Sequence, residues 1–153
     1  MEEHMTSLPY AQVLLVEDNP DDIELTLEAM KTSKVHMDVH VVSDGPSALA
    51  FLRREGEFSR ASRPDLILLD LNLPLMDGRE VLQAVRADPE FNGLPVVVLT
   101  SSDDEQDICR AYRLQANAYV TKPVDFSRFS ETIRQIEGFW LQLARIPRQR
   151  CTP

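Results

Sequence analysis

Two stretches of this chain, Leu66-Ile67-Leu68-Leu69 and Val96-Val97-Val98-Leu99, are apolar at every position, and each runs directly into a polar residue, Asp70 or Thr100. A strand with one wet face alternates apolar and polar residues. A strand with no alternation is covered on both faces, as in a parallel sheet packed between helices. The constraint is severe, because parallel neighbours cannot be joined by tight turns and each connection must cross a face of the sheet with a dozen residues or more. An Asp at the carboxyl end of such a strand lies at the rim where open α/β sheets keep their ligand crevices. Asn72, Pro74 and the Asp77-Gly78 pair follow as turn formers, so the strand ends at Asp70.

Taken in order, the chain repeats this strand-then-helix logic five times. Residues 1–10 read as a loose leader, and Gln12 to Val16 as a short strand ending on the acid pair Glu17-Asp18. Asn19-Pro20 caps and opens a helix whose first turn carries Asp21, Asp22 and Glu24, where the helix dipole favours anions. Ile23, Leu27 and Met30 form its expected buried stripe. Met37 to Val42 is the next strand, and Asp44-Gly45-Pro46 starts a helix bearing Leu49 and Leu52. After the Asp70 strand, a third helix carries Val81, Leu82 and Val85. Asp103 to Glu105 open a fourth, with Ile108, Ala111 and Tyr112 as its inner side. Asn117 to Val120 is a fifth strand, ending on Thr121-Lys122-Pro123. The last helix, capped by Asp125 or Ser127, carries Phe129, Ile133, Ile136, Trp140 and Leu143 at steps of four and three. Five strands alternating with five helices predict an α/β fold, a doubly wound five-stranded parallel sheet. The expected domain spans residues 11–145, with a tail at 146–153 and no output domain.

Composition narrows the function classes. With 153 residues the chain can bury one proper core, and its net charge of -9 disfavours nucleic acid and anionic membrane as direct partners. No run of about 18 apolar residues and no signal peptide is present. Cys109 and Cys151 have no metal-ligand or redox-motif spacing, which is in keeping with a reduced, cytoplasmic protein.

The strand ends bring together Glu17, Asp18, Asp70, Thr100 and Lys122. Each alone has an ordinary reading: a solvated or capping carboxylate, a turn hydroxyl, a surface lysine. Together they all fall at carboxyl ends of parallel strands. Two carboxylates about 5 Å apart repel by roughly 3 kcal/mol at an effective dielectric of 20, so three call for a counter-charge. Hard oxygen ligands without Cys or His point to Mg²⁺, which holds few protein carboxylates and accepts phosphate oxygens. Lys122 adds a point charge suited to a phosphoryl group. Asp70 can then act as a nucleophile that forms an acyl phosphate.

This order of residues resembles the receiver domain of bacterial two-component response regulators, from about Ala11 to Phe139. The resemblance is carried by the acid pair in LLVEDNP, the acceptor in LLDLNLPLMDG, the hydroxyl in VVVLTSS, and the aromatic and lysine in AYVTKP. It implies a flavodoxin-like fold with strand order 2-1-3-4-5, Asp70 as phospho-acceptor, and Mg²⁺ held by Glu17, Asp18, Asp70 and the backbone carbonyl of Asn72. It also implies Thr100 and Lys122 as phosphoryl-binding groups, Thr100 and Tyr119 as the switch pair that moves inward on phosphorylation, and a Lys122-Pro123 peptide that is commonly cis. The phosphoryl donor would be a sensor histidine kinase. More narrowly, DLNLP, DGREVL, DPEFNGLPVVVLT and IEGFWL are similar to stand-alone receivers paired with bacterial phytochromes, which implies a bacteriophytochrome kinase. Output would run through protein contacts or through a histidine phosphotransfer protein in a phosphorelay.

Two other readings compete. An Asp-nucleophile phosphatase of the haloacid-dehalogenase type would want a second Asp two residues after the nucleophile, and Asn72 stands there. A degenerate, unphosphorylated interaction module would not need the acid pair, Asp70, Thr100 and Lys122 all intact. The expectation is therefore a receiver that accepts a phosphoryl group and loses it by its own action, without turnover of external substrates. The last helix carries more apolar surface than one sheet face can cover. Phe139, Trp140 and Leu143 are accordingly expected to form a homodimer face.

Overall fold

The computed structural model describes residues 10–33 and 35–144. The expected leader, apart from Tyr10, lies outside the described residues, as do the tail at 146–153, Cys151 and the side chain of Leu143. Five strands, β1 (Ala11–Val16), β2 (Met37–Val42), β3 (Leu66–Leu69), β4 (Val96–Thr100) and β5 (Ala118–Thr121), form one parallel sheet. Their order is β2-β1-β3-β4-β5, as the resemblance implies. The helices are α1 (Pro20–Lys31), α2 (Gly45–Arg53), α3 (Gly78–Ala87), α4 (Glu105–Arg113) and α5 (Phe126–Glu137). Among the described residues, no helix is long and apolar enough to cross a membrane.

Period-two alternation along the strands splits the core into two layers. Val13, Leu15, Leu66, Leu68, Val97 and Leu99 point to one face and pack with Ala29 and Met30 of α1 and Phe129, Ile133 and Ile136 of α5. Leu14, Val16, Ile67, Leu69, Val96 and Val98 point to the other and pack with Leu49 and Leu52 of α2, Val81, Leu82 and Val85 of α3, and Ala111 of α4. All of β3 and β4 is buried, which is what their lack of alternation predicts.

The helix starts are built by short polar side chains that accept from free backbone N–H groups. Asn19 accepts from Asp21 and Asp22, Asp44 from Ser47, and Asp125, not Ser127, from Arg128. Asp77 and Glu80 form a reciprocal capping box on α3. Three expected inner faces differ in detail. On α1 the fully buried residues are Thr26, Ala29 and Met30, with Ile23 and Leu27 half-buried. Thr26 tolerates burial because its hydroxyl donates to the Asp22 carbonyl at 2.7 Å. On α4 only Ala111 is buried, and Tyr112 is exposed.

The third difference lies at the end of α5, where Gly138–Leu143 continues as a π-helical turn closed by an Ala144 N–H to Phe139 carbonyl bond. Each residue in a π-turn advances through a smaller angle than in an α-helix, so the stripe drawn at α-helical steps loses phase after Gly138. Trp140 and Leu141 both pack onto the α1/α5 core layer, and Phe139 stays exposed. The Lys122-Pro123 peptide is trans, against the expectation of a cis bond. An X-Pro bond prefers trans by only about 0.5–1 kcal/mol, so the isomer is set by context and not by the dipeptide itself.

Gly78 sets how closely α3 approaches the end of β3. A Cβ there would lie 2.3 Å from the Asp70 carbonyl oxygen and 2.6 Å from the Leu71 Cα, both backbone atoms that cannot swing aside. Gly78→Ala is expected to cost about 2–3 kcal/mol by overpacking, measured by urea denaturation. Gly93→Ala, where nothing lies within 4 Å, serves as the near-neutral control.

Candidate functional site

Register places the acids. Val16 pairs with Leu69, so the next residues, Glu17 and Asp70, stand side by side past the strand ends. The Glu17 N–H donates to Val42 and the Asp70 N–H to Val16, which fixes both backbones. On the far side, Thr100 pairs with Thr121, and the Lys122 N–H donates to the Thr100 carbonyl at 2.7 Å. Lys122 then reaches across the rim on the α1/α5 face.

Its ammonium donates to Glu17 Oε1 at 2.5 Å, Asp22 Oδ2 at 2.8 Å and Asp70 Oδ2 at 3.0 Å. Glu17, Asp70 and Lys122 are buried, and Asp18 is exposed. Burying the Glu17 carboxylate raises its pKa to about 7, against the lowering hydrogen bond from Lys122 and with a further push from the charge of Asp70. Lys122 pays a desolvation cost that works against its charge, yet its pKa is raised because Asp22, Glu17 and Asp70 surround it. One ammonium thus faces three carboxylates, and Asp18 beside them makes four.

This arrangement suits a divalent cation. Carboxylate oxygens of Glu17, Asp18 and Asp70 lie within 4.8 Å of one another, and all are hard donors. A single lysine does not balance that charge. Asn72 sits next to the group, its N–H donating to Asp70 Oδ1 at 3.2 Å.

Thr100 belongs to the opposite parity of its strand. It is fully buried, and its hydroxyl has no hydrogen-bond partner among the described residues. A buried hydroxyl without a partner costs about 1–3 kcal/mol, and Arg79 Nε and Glu137 Oε2 share that state among the described residues. Tyr119 is half-buried on the same face, and its hydroxyl donates to the Ser102 carbonyl at 2.8 Å. Burial raises its pKa.

The sequence reading brought Glu17, Asp18, Asp70, Asn72 and Lys122 to one rim, and the structure places them there. Of the residues expected on a dimer face, Phe139 is exposed, Trp140 is turned onto the chain's own core, and the Leu143 side chain is outside the described residues. Asp22 was assigned only to the helix dipole, but it is also a direct partner of Lys122. The signal was a second acid in the first turn of a helix starting at the rim, facing back toward the strand ends. A further network was not foreseen. Arg79 links Asp77 and Asp107, and Asp107 accepts from the Ser102 hydroxyl.

Comparison with known proteins identifies the scaffold. Residues 13–134 match the response regulator receiver domain family. The response regulator Rcp1 of Synechocystis sp. is 43% identical over 141 residues, which is 92% of this chain and 96% of Rcp1. The crystal structure of the phosphorylated cyanobacterial phytochrome response regulator RcpA superimposes with a TM-score of 0.88 at 49% identity, covering 91% of this chain and 99% of that one. The Mn²⁺-bound form of Rcp1 gives 0.86 at 42% identity, covering 90% and 99%. With the rim acids, the lysine and the strand order all in place, the chain belongs to the response regulator receiver domain family and is similar within it to RcpA and Rcp1.

Proposed function

We propose that this receiver accepts a phosphoryl group on Asp70 from the phosphohistidine of a sensor histidine kinase, and that a bacteriophytochrome is that kinase. The observation that carries the reading is the buried Lys122 ammonium held by Asp70, Glu17 and Asp22 beside a buried Thr100 hydroxyl that lacks a partner. The similarity to RcpA supports the light-signalling assignment. A cytoplasmic location follows from that reading, since the kinase's phosphohistidine must reach the rim.

In the transfer, an Asp70 carboxylate oxygen attacks phosphorus, the P–N bond breaks, and its electron pair stays with the departing imidazole, which picks up a proton. Lys122 moves part of its charge from carboxylate to phosphoryl oxygen. Thr100 donates its hydroxyl to another phosphoryl oxygen. Glu17, Asp18, Asp70 and the Asn72 carbonyl would hold Mg²⁺, which when bound supplies the positive charge that lets an anionic phosphoryl approach four carboxylates. The acyl phosphate leaves by hydrolysis at the protein itself or by transfer to a histidine phosphotransfer protein. Tyr119 reports the Thr100 state to the outer face. Two copies pair through the exposed Phe139 beyond α5, giving a homodimer.

Four variants test this. Asp70→Asn is expected to abolish labelling by acetyl phosphate while keeping a wild-type circular dichroism spectrum, and label retained on another residue would remove Asp70 from its role. Asp18→Ala is expected to weaken Mg²⁺ binding about tenfold or more, read by calorimetry, because a directly ligating carboxylate is lost. For the dimer, Phe139→Asp should yield a monomer by analytical ultracentrifugation while keeping a wild-type circular dichroism spectrum. Trp140→Ala should instead destabilise the fold by about 2 kcal/mol, less than the roughly 3–5 kcal/mol of a fully buried Trp.

A further inference from the structure

We infer that Arg79 is a positioning residue that holds Tyr119 docked, through a latch running from the start of α3 to the loop after β4. This rests on the reading of Tyr119 as the reporter of the Thr100 state. The latch has four links. Gly78 packs against the Asp70 carbonyl, and its N–H donates to the Leu71 carbonyl at 2.8 Å, so the first turn of α3 moves with the backbone of the acceptor. Arg79 follows, and its half-buried guanidinium is divided between two acids on different elements. Nη1 donates to both carboxylate oxygens of Asp77 at 3.0 Å, and Nη2 donates to Asp107 Oδ1 on α4 at 2.6 Å.

The other oxygen of Asp107 accepts from the Ser102 hydroxyl at 2.7 Å. Both bonds hold the Asp107 carboxyl below the usual range, the Ser102 bond contributing more than the Arg79 bond. Ser102 is thereby pinned by its side chain, and its carbonyl is the acceptor for the Tyr119 hydroxyl. Each link is charge-assisted or part of a chain of bonds that orient one another, so losing one end loosens the rest.

The Ser102 hydroxyl also accepts from the Asp104 N–H at 3.3 Å within its own loop, and it meets α3 through Asp107 and Arg79. Among the described residues, the Arg79–Asp107 pair is the ionic contact joining α3 to α4. Removing it leaves Asp107 free to rotate and Ser102 free to follow. Tyr119 then loses a fixed acceptor without any change to Glu17, Asp70, Thr100 or Lys122. In the intact protein the tyrosine is docked before phosphorylation, and the latch sets how much of the switch remains for Thr100 to throw.

The test uses full-length, unphosphorylated protein labelled at tyrosine rings for NMR. Arg79→Ala and Asp107→Ala are each expected to move the Tyr119 ring signal toward an undocked position, with the docked-to-undocked ratio falling about 5-fold or more. The double variant should move it no further, because both residues act through one path. Arg79→Lys, with charge but no fork, should restore part of the docking. Ser102→Ala cuts the same path from the loop side while leaving the carbonyl in place, and it serves if Arg79→Ala fails to fold. A merely structural Arg79 would lower the melting temperature in all of these and leave the Tyr119 signal where it is, and that result would overturn the proposal. Acetyl phosphate labelling of Arg79→Ala at the wild-type rate is expected. If wild-type protein takes no label, the Asp70 reading fails, and the comparison of Tyr119 signals in unphosphorylated protein still decides the latch.

Discussion

A parallel sheet covered on both faces leaves one place for charge, the rim where its strands end, and the rest of this molecule depends on how that rim is neutralised. The strands deliver backbone to it in fixed register, so Glu17 and Asp70 arrive as neighbours whether or not their charges agree. At about 4 Å and an effective dielectric of 20, like charges repel by roughly 4 kcal/mol, comparable to much of a domain's net stability. The buried Lys122 ammonium answers this with three charge-assisted hydrogen bonds. Removing it would leave three carboxylates facing one another, a far worse state than an apolar isostere pair.

The balance is deliberately incomplete in a chemical sense. One ammonium among Glu17, Asp22 and Asp70 leaves net negative charge, and Asp18 adds to it at the exposed edge. The upward shift of Glu17 to about 7 comes first from burial, with a smaller push from the Asp70 charge against the Lys122 bond. A rim that is over-supplied with hard anionic donors accepts a cation more readily than one that is neutral. In the proposed chemistry the same lysine would give up part of its hold on the carboxylates to a phosphoryl group, so the resting ion pairs and that chemistry would compete for one positive charge.

Much of this was legible in the sequence because it depends on local pattern. Uninterrupted apolar runs specify buried parallel strands, and Asn19, Asp44, Asp77 and Asp125 announce the helices that follow. What was not legible depends on distance through space or on phase. Asp22 meets Lys122 across 100 positions, so its second role could not be separated from that of a first-turn acid. Thr26 is buried because a helix carbonyl satisfies its hydroxyl, whereas a stripe drawn from large apolar residues passes over it. Trp140 packs inward, as its place in the stripe of Phe129, Ile133 and Ile136 predicts, but the π-type turn that starts at Gly138, a poor helix former, also brings Leu141 onto that layer, which α-helical phase does not predict. Arg79 carried no sequence signal at all, since an arginine beside a capping aspartate looks like an exposed local pair.

Alternation along the strands also separates chemistry from readout. Glu17, Asp70 and Lys122 share the parity of Leu15, Leu68 and Val120, the face covered by α1 and α5. Tyr119 has the parity of Val98, the face covered by α2, α3 and α4. Thr100 belongs to the second face and ends β4 at the rim, and its hydroxyl, like Arg79 Nε, is a buried donor without a partner among the described residues. Asp70 and Tyr119 therefore lie on opposite faces of the sheet, with the Thr100 hydroxyl at its edge. The Arg79–Asp107–Ser102 bonds lie wholly on the receiving side. They share no residue with the Lys122 cluster, so in the proposed reading the docking of Tyr119 and the charge balance around Asp70 are set by different residues.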